Sequence, residues 1–202
     1  MIKRIPEAMS AFIIFGVIAI FGVIYFAQEE IYHWIEYFGH GYTEADAAYD
    51  KILESKSWLL NSNFLFVAMP IIMLIWYAFR WKFRSNSIKE DKEGGLAYFR
   101  NSTRWSAAFI FVFAFSFSVL VWVIIMSIDA HWYSTMFSVY NFAVSFVTGL
   151  TVMMMFLLYL KSKGYMEMVS DEVVHDLGKF MFAFCIFWGY IFLGQCFRLI
   201  SM

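Results

Sequence analysis

Charge is scarce in this chain. Only 15% of its 202 residues are charged, against 62% hydrophobic and 22% aromatic, whereas a soluble domain carries about a quarter charged residues. Five stretches, Ala8 to Ala27, Trp58 to Phe79, Trp105 to Ile128, Thr135 to Leu160 and Phe180 to Phe197, contain no Asp, Glu, Lys or Arg at all. A hydrocarbon layer about 30 Å thick needs roughly 20 apolar residues of helix at about 1.5 Å each, and these five meet that length. The lack of internal charge therefore excludes a soluble globular protein. It predicts an all-α polytopic membrane protein with five transmembrane helices in one membrane domain over residues 1 to 202, each helix satisfying its own backbone. The first stretch has the Lys3–Arg4 start of a signal peptide, but it runs too long and no small-residue cleavage site clearly follows, so it reads as a permanent span.

Cysteine is equally scarce. Cys185 and Cys196 lie eleven residues apart on the last stretch, about three helical turns and roughly 16 Å along the axis, too far for an intrachain disulfide. Those two cysteines and four histidines are scattered over several segments, and no zinc or iron–sulfur spacing appears. Haem b ligation needs two imidazoles facing each other at one depth. Here His33, His40, His131 and His175 all lie outside the apolar stretches. Hydrolase patterns are missing too: no H-E-x-x-H, no G-x-S-x-G, and Gly94-Gly95 lacks the strand and helix that flank a phosphate loop.

The charge that is present is unevenly placed. Of fifteen basic residues, twelve (Lys3, Arg4, Arg80, Lys82, Arg84, Lys89, Lys92, Arg100, Arg104, Lys161, Lys163 and Lys179) fall on one side of the five-span topology, and Lys51, Lys56 and Arg198 on the other. The positive-inside rule then puts the N-terminus and the connections 80 to 104 and 161 to 179 in the cytoplasm. The 28 to 57 connection, the turn from Asp129 to Ser134 and the C-terminus face outward, the periplasm of a bacterium. Trp81, Phe83 and Phe99 interleave with the basic residues of 80 to 104, but beside a bilayer that pattern suits anionic lipid, and no nucleic-acid partner is expected.

Along the chain, the acidic and aromatic 28 to 57 connection predicts a short interfacial helix from Glu29 to Tyr37. Its Trp and Tyr suit the membrane boundary and an anchoring role, with a docking surface or ligand lid as the alternative. Pro70, in the middle of the second span, predicts a kink near Phe66 to Met69. In the fourth span Ser134, Ser138, Asn141, Ser145 and Thr148 recur at four, three, four and three residues, a polar seam that suits either helix packing or a hydrated path. Before the last span, Ser170 is placed to cap a helix, with Asp171 and Glu172 at its positive end and Asp176 able to pair with Lys179 at i, i+3.

Two polar clusters are left as candidates for chemistry. The outer one is the turn with Asp129, His131 and Tyr133; the inner one is His175, Asp176 and Lys179. Histidine titrates near neutral pH and a carboxylate can bias it, so the pair could serve as proton mouths. Between them lie only hydroxyls, Asn141, Gln195 and thiols, and transfer would need ordered water.

At these residues a family resemblance enters. The run Ser127-Ile128-Asp129-Ala130-His131-Trp132-Tyr133-Ser134-Thr135-Met136-Phe137-Ser138-Val139-Tyr140, together with His175 to Phe180 and Phe184 to Ile191, closely resembles the ActF subunit of bacterial alternative complex III, and Arg4 to Met9 resembles an internal segment of that subunit. The resemblance extends over essentially the whole chain, as the central portion of ActF. It implies an NrfD-like membrane protein built of four-helix bundles, in the inner (cytoplasmic) membrane, within a respiratory quinol:cytochrome c or other electron-acceptor oxidoreductase. The implied partners are an ActC-like quinol-binding subunit, an iron–sulfur subunit, a haem-c subunit and a terminal oxidase. No cofactor is implied for this chain itself. Menaquinol belongs to the complex, and haem c and iron–sulfur clusters to the partners. Catalysis is not implied either; the chain would be an accessory subunit. Placed on this sequence, Asp129, His131 and Tyr133 fall in an outer motif, His175, Asp176 and Lys179 in an inner one, and Ala130 stands where proline is expected. The readings carried forward are a subunit with a proton path through Ser138, Asn141, Ser145 and Thr148, and a scaffold without quinone or proton chemistry. A transporter half, suggested by the kinked span and polar seam, is the third.

Overall fold

A computed structural model describes residues 4–42, 46, 49–94, 96–165 and 169–200, the side chains of 198–200 excepted. Every regular element among them is helical. Five helical runs are long and apolar enough to cross a membrane: Arg4–Ile31, Ser62–Glu93, Ala97–Ile128, Met136–Ser162 and Asp171–Phe197. The chain is a polytopic membrane protein. At most 17% of the most apolar window of any of these runs is buried within the chain, so lipid or other protein must cover the rest.

The chain forms two compact units, Ile13–Tyr133 and a second that combines Met1–Phe12 with Ser134–Met202. The helices in chain order are α1 (Arg4–Met9), α2 (Ile13–Ile31), α3 (His33–His40), α4 (Lys51–Ser55), α5 (Ser62–Glu93), α6 (Ala97–Leu120), α7 (Met136–Ser162) and α8 (Asp171–Ile200). A 3-10 turn, Ser10–Phe12, follows α1, and α6 runs on through a π segment, Val121–Ile125, and a 3-10 turn, Met126–Ile128.

In the Ile13–Tyr133 unit, α5 and α6 pack through aromatic side chains spaced three or four apart. Phe109 and Phe113 of α6 meet Phe79 and Trp76 of α5 at ring-centroid distances of 5.2 and 5.0 Å. The Trp76 indole N–H donates to Ser116 Oγ at 2.9 Å, so the one polar atom of that ring is paired where water is absent. Asn61 caps α5 by accepting from the Asn63 amide at 2.9 Å. The helix then runs without a break through Pro70 and on to Glu93, where Gly94, at φ 70°, turns the chain. The basic connection expected over 80 to 104 is thus mostly helix. Buried Asn86 explains the extension, because its amide donates to Ser102 Oγ and its carbonyl accepts from Asn101, both at 3.4 Å, tying α5 to α6.

The expected interfacial helix appears as α3, four residues later at its start than predicted. Its Trp34 is 3% exposed and joins Tyr32, Leu53, Leu60, Leu65 and Met69 in the unit's core. Tyr32 donates its hydroxyl to the Ile124 carbonyl at 2.9 Å. That carbonyl belongs to the π segment, where the regular α-helical ladder is interrupted and backbone acceptors need outside partners.

In the other unit α7 and α8 zip together by rings. Phe180, Phe184, Trp188 and Phe192 recur every four residues on α8; Phe184 lies 4.4 Å from Phe146, and Trp188 and Phe192 each lie 6.3 Å from Tyr140. Fully buried Ala143 lets the helices approach. Beside them, Ile5 of α1 is buried against Leu157 and Val169.

Candidate functional site

Lys56, just past α4, organises the cluster at the 129 to 133 turn. Its ammonium donates to the Ala130 carbonyl and, at 3.5 Å, to the Trp132 carbonyl, and it lies 5.6 Å from the centroid of the Tyr133 ring. An ammonium has three donors and no acceptor. Here they gather the backbone of the 129 to 133 turn around one cation. Burial pulls the Lys56 ammonium below the usual lysine range, and the carboxylates of Asp129 and Asp50 act in the opposite direction.

Asp50 is the second hub. Its Oδ1 caps α4, accepting from the amides of Ile52 at 2.8 Å and Leu53 at 3.3 Å, while its Oδ2 meets His131 Nε2 at 2.5 Å. The Asp50 amide in turn donates to the Tyr37 hydroxyl at 2.9 Å. The hydrogen bond from His131 holds the Asp50 carboxyl below its ordinary 3.8, reinforced by the two amides and opposed by partial burial. The His131 side chain is 59% exposed and that of Asp50 26%. Water therefore reaches the imidazole directly, and the imidazole stands between water and the more sheltered carboxylate. An exposed imidazole bonded to a carboxylate is the kind of pair used in general acid–base chemistry.

Of the residues singled out in the sequence, Asp129 and Tyr133 lie by Lys56, and His131 bonds Asp50. Asp129 and Tyr133 are exposed. Asp50 and Lys56 were not singled out, being 81 and 74 residues from their partners in the turn. A signal was present for each. Asp50 precedes a short apolar-acidic run as an N-cap would, and Lys56 is one of three bases that break the topological charge pattern.

The seam of α7 behaves differently along its length. Ser134 and Ser138 are buried, Asn141 is half-buried, and Ser145 and Thr148 are exposed. Ser134 exchanges hydrogen bonds with the Gln195 amide of α8 at 3.2 and 3.3 Å. Asn141 and Thr148 instead bond back to the carbonyls of Phe137 and Val144 in their own helix, both at 2.8 Å. A repeat of 3.5 residues drifts about 20° per heptad on a straight 3.6-residue helix, so a sequence seam cannot hold one face over two heptads without supercoiling. Ser138 Oγ is buried and has no hydrogen-bond partner among the described residues.

At the start of α8 the expected Asp176–Lys179 pair forms at 3.1 Å, with both side chains largely exposed. His175 is exposed one turn before Lys179. Asp171 bonds Lys161 of α7. Cys185 and Cys196 are free thiols. Among the described residues no three His, Cys, Asp or Glu side chains gather as a metal ion would require.

No protein-family model matches this chain, and no curated protein matches it. Its class rests on its own helices: an all-helical protein that crosses a bilayer several times, with an ordered polar cluster at Asp50, Lys56 and His131.

Proposed function

We propose that this chain is a membrane subunit of a respiratory quinol:electron-acceptor oxidoreductase of the alternative complex III kind, in a bacterial inner membrane with its N-terminus in the cytoplasm. Its part is proton exchange at the outer face. The observation that carries this reading is the bonding of His131, within the Ser127-to-Tyr140 run that resembles ActF, to the Asp50 carboxylate, with Lys56 fixing the same turn. Quinol oxidation and the haem c and iron–sulfur chemistry belong on this reading to partner subunits, ActC-like among them. The chain's own residues hold and move protons: His131, bonded to Asp50, exchanges with water, and Lys56 and Asp129 are the charged groups beside it. Ser134 and Ser138 begin an inward run of hydroxyls. Asp176 and Lys179 with His175 form the corresponding group at the start of α8.

A scaffold without proton chemistry is favoured by one specific observation, the lack of any charged residue in the five apolar stretches. Membership of the complex is tested by purifying the tagged full-length chain from its native membrane in mild detergent. The expected preparation shows the absorbance of haem c, the electron paramagnetic resonance of iron–sulfur clusters, and oxidation of menaquinol. A pure preparation with none of the three contradicts the reading.

A further inference from the structure

The start of α7 has one buried face and no side-chain cap. Thr135 stands at the cap position and makes no capping bond, and of the first-turn amides that of Phe137 bonds the Ser134 carbonyl at 3.3 Å. A helix leaves its first amides without partners in its own ladder, so a buried face there needs acceptors from elsewhere. Two hydroxyls mark that face. Ser134 lies just before the helix and Ser138 one turn on, 2% and 4% exposed. Ser134 is paired with Gln195 of α8 at 3.2 and 3.3 Å, whereas Ser138 Oγ has no partner among the described residues. Its conformation is unlike that of other helical hydroxyls in the spans. Ser116, Ser127, Thr148 and Thr151 donate to the carbonyl four residues back, and Ser138 turns away from the carbonyl of Ser134. Side chains on a helix lean toward its N-terminus, so this hydroxyl lies over the uncapped first turn, on the side of Ser134 and Gln195.

We infer that one water molecule is bound at this face, bridging Ser138 Oγ to the Ser134–Gln195 pair and so joining α7 to α8. The chemistry of the surrounding groups selects that occupant. Each hydroxyl can both donate and accept, and the Gln195 amide has two N–H protons and two oxygen lone pairs, more than its exchange with Ser134 uses. The first-turn amides of α7 only donate. An occupant that satisfies all of these must donate and accept within one small volume. Water does so; an anion or a carbonyl oxygen only accepts. A buried water makes about three hydrogen bonds, and Ser134, Ser138 and Gln195 offer that number on one face. Pairing Ser138 in this way removes the cost of a buried hydroxyl without a partner. The site gives the proposed run of hydroxyls its first water, and it stands on the packing of α7 against α8 whether or not protons follow that run.

A double-mutant cycle on the full-length chain in mild detergent tests this, read as shifts of the thermal unfolding midpoint. Ser138→Ala and Gln195→Met should each lower the midpoint, and the double variant should lose clearly less than the two single losses added, because either substitution releases the same water. A hydroxyl with no partner at all gives the opposite sign. Ser138→Ala would then leave the midpoint unchanged or raise it, since it removes an unsatisfied polar group. A hydroxyl bonded to the Ser134 carbonyl gives a loss that simply adds to that of Gln195→Met. Either result overturns the inference. Should Gln195→Met not fold, a density map of the parent protein that resolves ordered waters decides the matter. The expected feature is a single peak about 2.8 Å from Ser138 Oγ and within hydrogen-bond reach of Ser134 or Gln195. A larger density there, or none where other buried waters are resolved, contradicts the site.

Discussion

Lys56 and Asp50 hold the turn from Asp129 to Tyr133 by opposite means. The ammonium supplies donors to two carbonyls of the turn, and the carboxylate accepts both from the α4 amides and from His131. Replacing Lys56 with Met keeps its stem and removes the donors, and should destabilise the unit by about 1.5–3 kcal/mol, the usual worth of hydrogen bonds from a charged group. The fluorescence of Trp132 should change in the folded protein as the turn loosens; an unaltered spectrum and unaltered unfolding midpoint would contradict the arrangement. Asp50 has a defined sign of pH dependence. Because its folded value lies below the ordinary 3.8, its stabilisation is complete above that value and is lost as pH falls through the lower folded one. Asp50→Asn should therefore lose less stability than the parent protein as pH falls through and below the ordinary carboxylate range, measured as the difference between their unfolding midpoints. Sequence showed half of this cluster, since Asp129, His131 and Tyr133 are neighbours in the chain. The other half depends on the fold of the 28 to 57 connection, where seven acids look alike until one of them caps a helix.

Helices were legible in proportion to their apolarity. All five spans were expected, and the third, fourth and fifth begin or end within a few residues of the predicted apolar bounds on at least one side. The helices run past the apolar bounds at their basic ends because hydropathy marks where a helix leaves the bilayer, and says nothing of where its hydrogen bonds stop. α5 continues about four turns past Phe79 because Asn86 finds partners on α6. The π segment was likewise invisible, since nothing in Val121-Trp122-Val123-Ile124-Ile125 distinguishes it from ordinary helix. What sustains it is remote: Tyr32, 1% exposed, donates to Ile124 from 92 residues away. Burial also pushes its phenol up to about 12, so it remains a donor across the physiological range. Tyr32→Phe should cost about 1 kcal/mol by removing the hydrogen bond to this partly buried carbonyl. The same variant should speed amide exchange over residues 121 to 128, and unchanged protection there would show that the π segment does not depend on the phenol.

For the molecule as a whole, the exposed surface is the informative feature. Phe26 at 88%, Phe115 at 77% and Tyr190 at 76% are exposed on three different spans, a surface that only lipid or partner helices can cover. The charge asymmetry gives this membrane protein a testable orientation. After replacement of Cys185 and Cys196 by Ser, a cysteine introduced at Asp129 should react with a membrane-impermeant maleimide in intact cells, and one introduced at Lys89 only after permeabilisation. The reverse pattern would turn the outer cluster to the cytoplasm and remove its assigned role. Proton exchange at His131 is tested most directly by the proton yield per electron of the assembled complex in liposomes, compared with His131→Gln. The account predicts normal assembly and normal quinol oxidation with a lowered proton yield; an assembled variant with normal electron transfer and an unchanged yield would contradict it and leave the chain as a scaffold.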